Sequence, residues 1–231
     1  MYPFIDIAPL FPCRVDSLTK RAQLRAYIGA RPDTIVVTVV GTICRRKGQF
    51  PLIQALQHVL QQQPHLRARV LLLLIGDTVP PSLESQSIQN FIAQHQLMHN
   101  VRLVHKHIAA PELMYASDVH WSNSLAESFP LNVLEAMLLG IPVVSSRVHG
   151  IRELTHTDPP CAVVYEPDNM ATLIDTLLLV LNDSYRAELR GMADAAYHHV
   201  HSHFTAPQAM AHWQRLLLQV TEMPKPGLLS Q

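Results

Sequence analysis

Apolar runs and helical patterns alternate along most of the chain. Residues 34–40 form an almost continuous β-branched run, typical of a strand that is buried on both faces, and residues 69–75 form a second such run. Shorter strands are predicted at residues 101–104, 118–121, 142–145 and 162–164. Helices are predicted at residues 17–28, 50–61, 83–95, from 111, and at 131–139, 169–181, 185–199 and 207–220. This alternation predicts an α/β fold with a doubly wound parallel sheet, Rossmann-like in class.

The chain divides at residue 33. Residues 1–33 contain four prolines and one short helical pattern, so we interpret them as a linker or crossover segment with a short helix. Residues 34–231 are then one domain. With 231 residues and 48% hydrophobic content, the chain is long and apolar enough to bury a full core.

Charge and cysteine content exclude several classes of protein. Lys plus Arg and Asp plus Glu both number 18, which argues against a nucleic-acid or anionic-membrane binder driven by bulk charge, so any phosphate site must be local. Three scattered cysteines favour a reducing compartment, and we expect a cytoplasmic protein, with membrane association through a partner left open. The longest apolar run, residues 70–75, is too short for a transmembrane segment, and no leader pattern opens the sequence.

Four histidines between residues 198 and 203 raise the question of a metal site. No acidic or cysteine partner with the usual ligand spacing accompanies them, and histidines suit the end of a helix, where cations offset its dipole. We therefore expect no metal ion and no separate cofactor.

The loops that follow the predicted strands identify where a ligand binds. In doubly wound sheets, ligands bind at the carboxyl ends of the strands. The loops at that edge are residues 41–48, 76–77, 105–108, 122–130 and 145–150. We refer to these five loops as the rim.

Two carboxylates on or next to the rim carry the most specific signal. Glu127 lies on a loop, and Glu135 lies eight residues later in the predicted helix 131–139. A helix N-terminus suits a phosphate, and acceptor-only carboxylates suit hydroxyl groups, so together they fit a nucleotide sugar. For an isolated pair of glutamates, a first-turn acid and a solvated helix residue would be the more common explanation, since charged residues are mostly exposed.

The loop of residues 41–48 adds weaker evidence. Gly41 permits close approach of a backbone, and Lys47 is a point charge that suits a phosphate, although it could equally be a solvated surface lysine. Its glycines match neither the dinucleotide fingerprint nor the P-loop.

From about residue 34 onward, the sequence resembles the C-terminal, donor-binding half of family-four GT-B glycosyltransferases, also called group one. The resemblance rests on loop 41–48 with its Lys-Gly pair, on residues 127–137, on Gly-Ile-Pro-Val-Val at residues 140–144, and on residues 150–153 and 164–168. It implies a single GT-B half-domain that binds a nucleotide sugar.

The resemblance also implies roles for individual residues. Lys47 would contact the donor diphosphate, and Glu127 the hydroxyls of the transferred sugar. Backbone groups around Phe129 and Leu131 would hold phosphate, and Glu135 would bind the ribose hydroxyls. Catalysis would rest on Glu127 and Lys47. Other donor-binding positions in the matching loops are Gly41, Thr42, Arg46 and Ser128. The loops after Gly76 and around His105 and Lys106 would face the base.

Three features depart from the family pattern. Thr42 replaces a common arginine, a role that Arg45 or Arg46 could take over, and Pro130 has no N–H to donate, so one phosphate contact falls to Leu131 or Ser128. Only a linker precedes the first strand where relatives have an acceptor-binding domain.

We therefore expect the donor-binding part of a retaining glycosyltransferase, with a possible acceptor-domain polypeptide as partner. The alternative is a non-catalytic nucleotide-sugar-binding or partner-interaction module. The final predicted helix, with Trp213 and Leu216 to Leu218, either packs on a missing half or docks within this domain.

Overall fold

Six parallel strands form one sheet in this computed structural model, which describes residues 17–76, 82–104 and 110–222. The strands are β1 Ile35–Val40, β2 Val70–Ile75, β3 Val101–Val104, β4 Val119–Ser122, β5 Val143–Ser146 and β6 Val163–Tyr165. Their order in the sheet is β3-β2-β1-β4-β5-β6, and every neighbouring pair is parallel. The predicted α/β doubly wound, Rossmann-like sheet is confirmed, and each predicted strand lies within one residue of its observed bounds.

Helices cover both faces of the sheet. They are α1 Ser17–Tyr27, α2 Gln49–Gln62, α3 Leu83–Gln94, α4 Ala110–Tyr115, α5 Leu131–Leu138, α6 His149–Thr155, α7 Met170–Val180, α8 Arg186–His203 and α9 Ala206–Glu222. Short 3-10 helices occupy Arg45–Lys47, Pro64–Ala68 and Asp183–Tyr185. The sequence did not predict α6, because seven residues that include a glycine give little periodicity. Helix α8 also continues through the histidines, to His203 instead of ending at residue 199.

Burial on both faces of the central strand explains its continuous apolar pattern. Val37 and Val39 pack in one cluster with Leu52 and Leu56 of α2, whereas Val36 packs on the opposite face. A second cluster joins Met137 and its neighbours in α5 with the inner face of α8. These two helix layers hold the strand ends, and therefore the loops after them, in fixed positions.

Helix α1 packs against the domain that follows it. Arg21 and Arg25 both donate to the carboxylate of Asp118, at 2.9 and 3.0 Å, and Ile28 is buried. The Asp118 carboxylate in turn accepts the backbone N–H of Val36, at 2.8 Å. Asp118, directly before β4, thus joins α1 to the second residue of β1.

None of the helices in the described ranges has the length and apolar character of a membrane span. The predictions for Asp77 and for residues 105–108 lie outside the described residues, as do residues 1–16 and 223–231.

Candidate functional site

The chain direction across the sheet reverses between β1 and β4. From β1 the chain moves outward through β2 to β3, and then returns to β4 on the other side of β1. The loops after β1 and β4 therefore diverge to opposite faces and leave a crevice at the carboxyl edge, the usual ligand position in this class of sheet. These two loops, residues 41–48 and 123–130, carry most of the predicted site residues.

The first loop is shaped by two glycines. Gly41 has a φ of 145°, and a Cβ built on it would lie 3.3 Å from the Cε of Lys47, so the lysine side chain lies across the glycine. The 3-10 helix Arg45–Lys47 then ends at Gly48, whose φ of 65° is left-handed. The backbone of this loop thus directs the Lys47 side chain back over the end of β1.

Lys47 and Glu127 form an ion pair across the crevice. The Nζ of Lys47 donates to the Oε2 of Glu127 at 2.6 Å, and the two side chains are only 16% and 12% exposed. A charge-assisted hydrogen bond this short and this sheltered from water is among the stronger polar interactions in a protein. The structure therefore brings together the two residues for which the sequence predicted catalytic roles.

The same oxygen of Glu127, Oε2, accepts hydrogen bonds from other donors as well. Arg46 Nη1 lies 3.2 Å from Oε2, and Ser124 Oγ lies 3.4 Å from it. Arg46 also donates to the carbonyl of Ala126, at 2.9 Å. Within the described ranges, no hydrogen bond reaches the other oxygen, Oε1. One oxygen of Glu127 is engaged by the protein, and the other remains an acceptor for a ligand.

The electrostatics follow from this arrangement. Burial by itself raises the pKa of the Glu127 carboxyl, but the hydrogen bond and charge of Lys47, together with Arg46, outweigh it and leave that pKa below its ordinary value. Glu127 is accordingly ionised at neutral pH.

The loop of Glu127 is held from behind by β5 and α6. Ser146 Oγ donates to the carbonyl of Ser124 at 2.5 Å, and the N–H of Gly150 donates to the carbonyl of Glu127 at 3.2 Å. A Cβ on Gly150 would lie 2.2 Å from the carbonyl oxygen of Ser128, so α6 packs directly on this loop. The predicted rim loop 145–150 thus supports the site through its backbone.

Helix α5 begins at the crevice. Pro130 is its N-cap and gives no side-chain hydrogen bond, so the N–H groups of Leu131 and Asn132 open the helix without an intrahelical partner. Leu131 is 47% exposed, and Ser128 before it is exposed too. Phe129 packs on Phe204, with ring centroids 5.8 Å apart. The helix start therefore presents free donors beside Glu127, as a phosphate site requires.

Glu135 lies one turn beyond Leu131 on the same face of α5. Its side chain is half-buried, and burial raises the pKa of its carboxyl. Among the described residues, none forms a hydrogen bond or ion pair with it. A carboxylate that is partly dehydrated and lacks a protein partner is a natural acceptor for ligand hydroxyls.

Two predicted residues are not engaged by the Glu127 carboxylate. Thr42 is exposed, and its carbonyl, not its hydroxyl, is the group held in place, by Gln49 Nε2 at 3.0 Å. Arg45 is exposed, and Arg46 is the arginine that reaches Glu127. Of the positions predicted to face the base, Gly76 packs against the backbone of Gly41.

Sequence reasoning missed a buried polar group behind the crevice. His120, in β4, is fully buried, with Thr38 Oγ1 and Asn132 Nδ2 each 3.4 Å from its ring nitrogens. Burial lowers the pKa of His120 to about 3, and the charge of Lys47 adds to this shift. Asn132 also donates to the carbonyl of Val40 at 2.9 Å, which ties the start of α5 to the end of β1. The only signal in the sequence was a polar residue inside an apolar strand.

No group of three or more His, Cys, Asp or Glu side chains within the described ranges is arranged to hold a metal ion. The histidines of α8 stack on one another and on Phe204, for example His199 on His203 with centroids 4.8 Å apart.

Known proteins resemble this chain in sequence. The family model described as glycosyl transferases group 1 matches residues 20–199. The chain is 30% identical over 176 residues to the D-inositol 3-phosphate glycosyltransferase of Kribbella flavida, covering 75% of this chain and 41% of that protein. A second D-inositol 3-phosphate glycosyltransferase, that of Corynebacterium efficiens, is 28% identical over 200 residues, with coverages of 85% and 45%.

Solved structures give the same picture of the fold. Anabaena HepE in complex with UDP and glucose superposes with a TM-score of 0.74 at 22% identity, over 90% of this chain and 53% of that one. A glycosyltransferase of Rickettsia africae gives a TM-score of 0.81 at 16% identity, with coverages of 96% and 57%. The chain thus spans about two fifths of the first relative and just over half of these structures. It has the fold of a GT-B half-domain, and it belongs to the group 1 glycosyl transferases.

Proposed function

We propose that this chain is the donor-binding part of a retaining glycosyltransferase, and that a nucleotide diphosphate sugar binds in the crevice between the loops after β1 and β4. The observation that carries the proposal is the sheltered ion pair of Lys47 and Glu127. It lies between β1 and β4, where the chain crosses to the other half of the sheet, and beside the start of α5.

The diphosphate would bind to Lys47, Arg46 and the open N–H groups at the start of α5. Both cationic side chains already hold one anionic oxygen, that of Glu127, so they are oriented for a second anion. Leu131 supplies the backbone donor that Pro130 lacks. The helix dipole adds to this attraction.

The two carboxylates would divide the hydroxyl groups of the donor. Glu127 keeps Oε1 available beside Lys47, which suits a sugar hydroxyl next to the diphosphate. Glu135, further along α5 and half-buried, suits the ribose. The fold neighbour HepE has been solved with UDP, glucose and UDP-glucose, so UDP-glucose is the first donor to test.

Catalysis by this chain would consist of stabilising the diphosphate leaving group. Charge develops on that group in the transition state, and oriented donors in a sheltered crevice are well suited to stabilise it. We propose that Lys47 and the helix N–H groups supply this stabilisation without a metal ion or other cofactor.

The acceptor substrate would be bound by a second polypeptide domain. Helix α9 carries Met210, Trp213 and Leu217 at helical spacing, and these side chains are 55%, 43% and 59% exposed. Such a stripe on an amphipathic helix is a surface for another apolar surface. We propose that it packs against an acceptor-binding domain.

Calorimetric titration with UDP, GDP and ADP, and with the glucose conjugate of each, tests the donor proposal. A ligand at a hundred times its dissociation constant adds about 2.7 kcal/mol of stability, and a melting shift of roughly 5 to 10 °C. Lys47→Met should weaken binding by about ten- to a hundredfold, because a charge-assisted hydrogen bond is lost. Lys20→Met removes an ammonium of α1, 3.2 Å from Glu112 and outside the two site loops, and should leave affinity unchanged.

Binding that persists in EDTA would support the metal-free site. No binding of any of these ligands at millimolar concentration would overturn the donor proposal. Binding without transfer, even when an acceptor domain is supplied, would instead identify the non-catalytic module.

A further inference from the structure

A chain of buried hydrogen bonds runs from β4 and β6 to the loop of Lys47. Trp121 Nε1 donates to the hydroxyl of Tyr165 at 2.9 Å, and that hydroxyl donates to Asn123 Oδ1. Asn123 Nδ2 then donates to the carbonyl of Gly48 at 2.7 Å. Trp121, Asn123 and Tyr165 are each less than a tenth exposed. We call these three side chains the relay.

Chemistry fixes the direction of the relay. An indole nitrogen can only donate, so the Tyr165 hydroxyl must accept from Trp121 and has one proton left to give. That proton goes to the oxygen of the Asn123 side chain, which leaves the amide nitrogen facing Gly48. The rotamer of Asn123 is therefore set by Tyr165 and not by Gly48 alone.

The relay ends at Gly48, in the turn that orients the Lys47 side chain. Gly48 directly follows Lys47, and its left-handed φ closes the short 3-10 helix. A Cβ on Gly48 would lie 2.1 Å from the Asn123 carbonyl oxygen, so the two loops touch here. Asn123 therefore holds this turn both by close packing and by a hydrogen bond.

From that anchor, the two loops remain joined as far as the ion pair. The next link is from Leu125 N–H to the carbonyl of Arg46, at 2.8 Å, and the last is from Lys47 to Glu127. Alternate residues of the second loop thus bond to the first loop. A shift at the buried end would be passed along this row to the charged end.

We propose that Tyr165 and Asn123 are positioning residues that set the distance between Lys47 and Glu127, and through it the affinity for the donor diphosphate. The second half of this statement rests on the proposed function. Neither side chain is exposed for direct contact with a ligand, since Asn123 and Tyr165 are each 6% exposed.

The test separates position from stability by measuring the pKa of the Glu127 carboxyl directly. In Tyr165→Phe, carbon-detected NMR titration should show this pKa moving up toward its ordinary value, because Lys47 is no longer held against Glu127. UDP affinity should fall by about tenfold, the effect of weakening one charge-assisted contact. Asn123→Leu, which removes the donor to Gly48, should reproduce both changes.

Tyr185→Phe is the matched control, since it deletes a tyrosine hydroxyl in the 3-10 helix Asp183–Tyr185, outside the relay and the two site loops, and should move neither quantity. Melting curves establish that each variant is folded at the temperature of titration. An unchanged Glu127 pKa in folded Tyr165→Phe and Asn123→Leu would overturn the positioning role. If wild type binds no nucleotide, the proposed function fails, while the pKa measurement still decides whether the relay positions Lys47.

Discussion

Gly150 and Ser128 meet backbone to backbone, so closely that a Cβ on Gly150 would lie 2.2 Å from the carbonyl oxygen of Ser128. The same glycine donates its N–H to the carbonyl of Glu127. Helix α6 therefore packs directly against the loop that carries Glu127 and supports it. Gly150 permits this close packing because it has no side chain.

Replacing Gly150 by alanine should displace the Glu127 loop. The added methyl group must push backbone atoms apart, and overpacking of this kind costs about 1–3 kcal/mol. We expect a lower melting temperature and weaker donor binding. Gly191→Ala is the control, because a Cβ there meets nothing within 4 Å inside α8 and should stabilise the protein by about 1 kcal/mol. Similar effects of the two substitutions would contradict the close-packing argument.

Alanine substitutions at the two glutamates should have different ligand profiles. Glu135→Ala should weaken UDP and UDP-glucose alike, by about ten- to a hundredfold, because it removes a partner of the nucleoside. Glu127→Ala should weaken UDP-glucose more than UDP, because it removes the partner assigned to the sugar in addition to the carboxylate that orients Lys47. Calorimetry with both ligands measures this. Equal losses of both ligands in the two variants would show that the assignment is wrong.

Glu135→Gln should stabilise the protein without ligand. Burial raises the folded-state pKa of this carboxyl, so its contribution to stability falls as pH rises through the window above the unfolded pKa. Each unit of such a shift costs about 1.4 kcal/mol at neutral pH. Melting temperature at pH 7 should therefore be higher in Glu135→Gln than in wild type, and the gap should close toward pH 4. The exposed Glu153→Gln should show no gap at either pH.

His120 should make the fold sensitive to acid. Its folded pKa, about 3, lies below the unfolded value near 6.5, so the unfolded chain binds the proton first and stability is lost as pH falls through this window. Each pH unit should cost about 1.4 kcal/mol. In His120→Phe the slope of unfolding free energy against pH should be shallower, while the exposed His65→Gln should keep the wild-type slope. Urea titrations at several pH values provide the measurement.

The chain alone should transfer no sugar at a useful rate. Holding donor and acceptor in reacting geometry lowers the activation barrier by about 7 to 11 kcal/mol. The described residues form only the proposed donor site. Incubation with UDP-glucose and a panel of lipid, glycan and protein acceptors measures this, with slow hydrolysis as the expected background. Robust transfer by the chain alone would mean that an acceptor site exists within it.

The sequence predicted the sheet, and it placed Lys47 and Glu127 on the same rim, for one physical reason. Buried parallel strands give continuous apolar runs, and the loops after them share one edge. The relay could not be predicted in this way. Trp121 and Tyr165 lie on strands separated by β5, and their contact depends on side-chain reach and not on the period of a pattern. The same holds for His120, whose partners come from β1 and α5.

The end of helix α8 shows a different limit. Periodicity ends α8 near residue 199, because the histidines after it have weak helix propensity. In the structure the helix continues to His203, since Val200 and Phe204 are buried against α5 and the Phe129 ring. Tertiary packing decided the boundary.

Lys47 and Glu127 are 80 positions apart in the sequence, so the two sides of the crevice are synthesised at different times. Pairing β1 with β4 requires the closure of a long loop, which has an entropic cost and slows folding. During synthesis, Lys47 emerges well before Glu127, the carboxylate with which it will pair. A chain interrupted anywhere before β4 carries Lys47 without its counter-charge, so the ion pair of the crevice exists only once β4 has paired with β1.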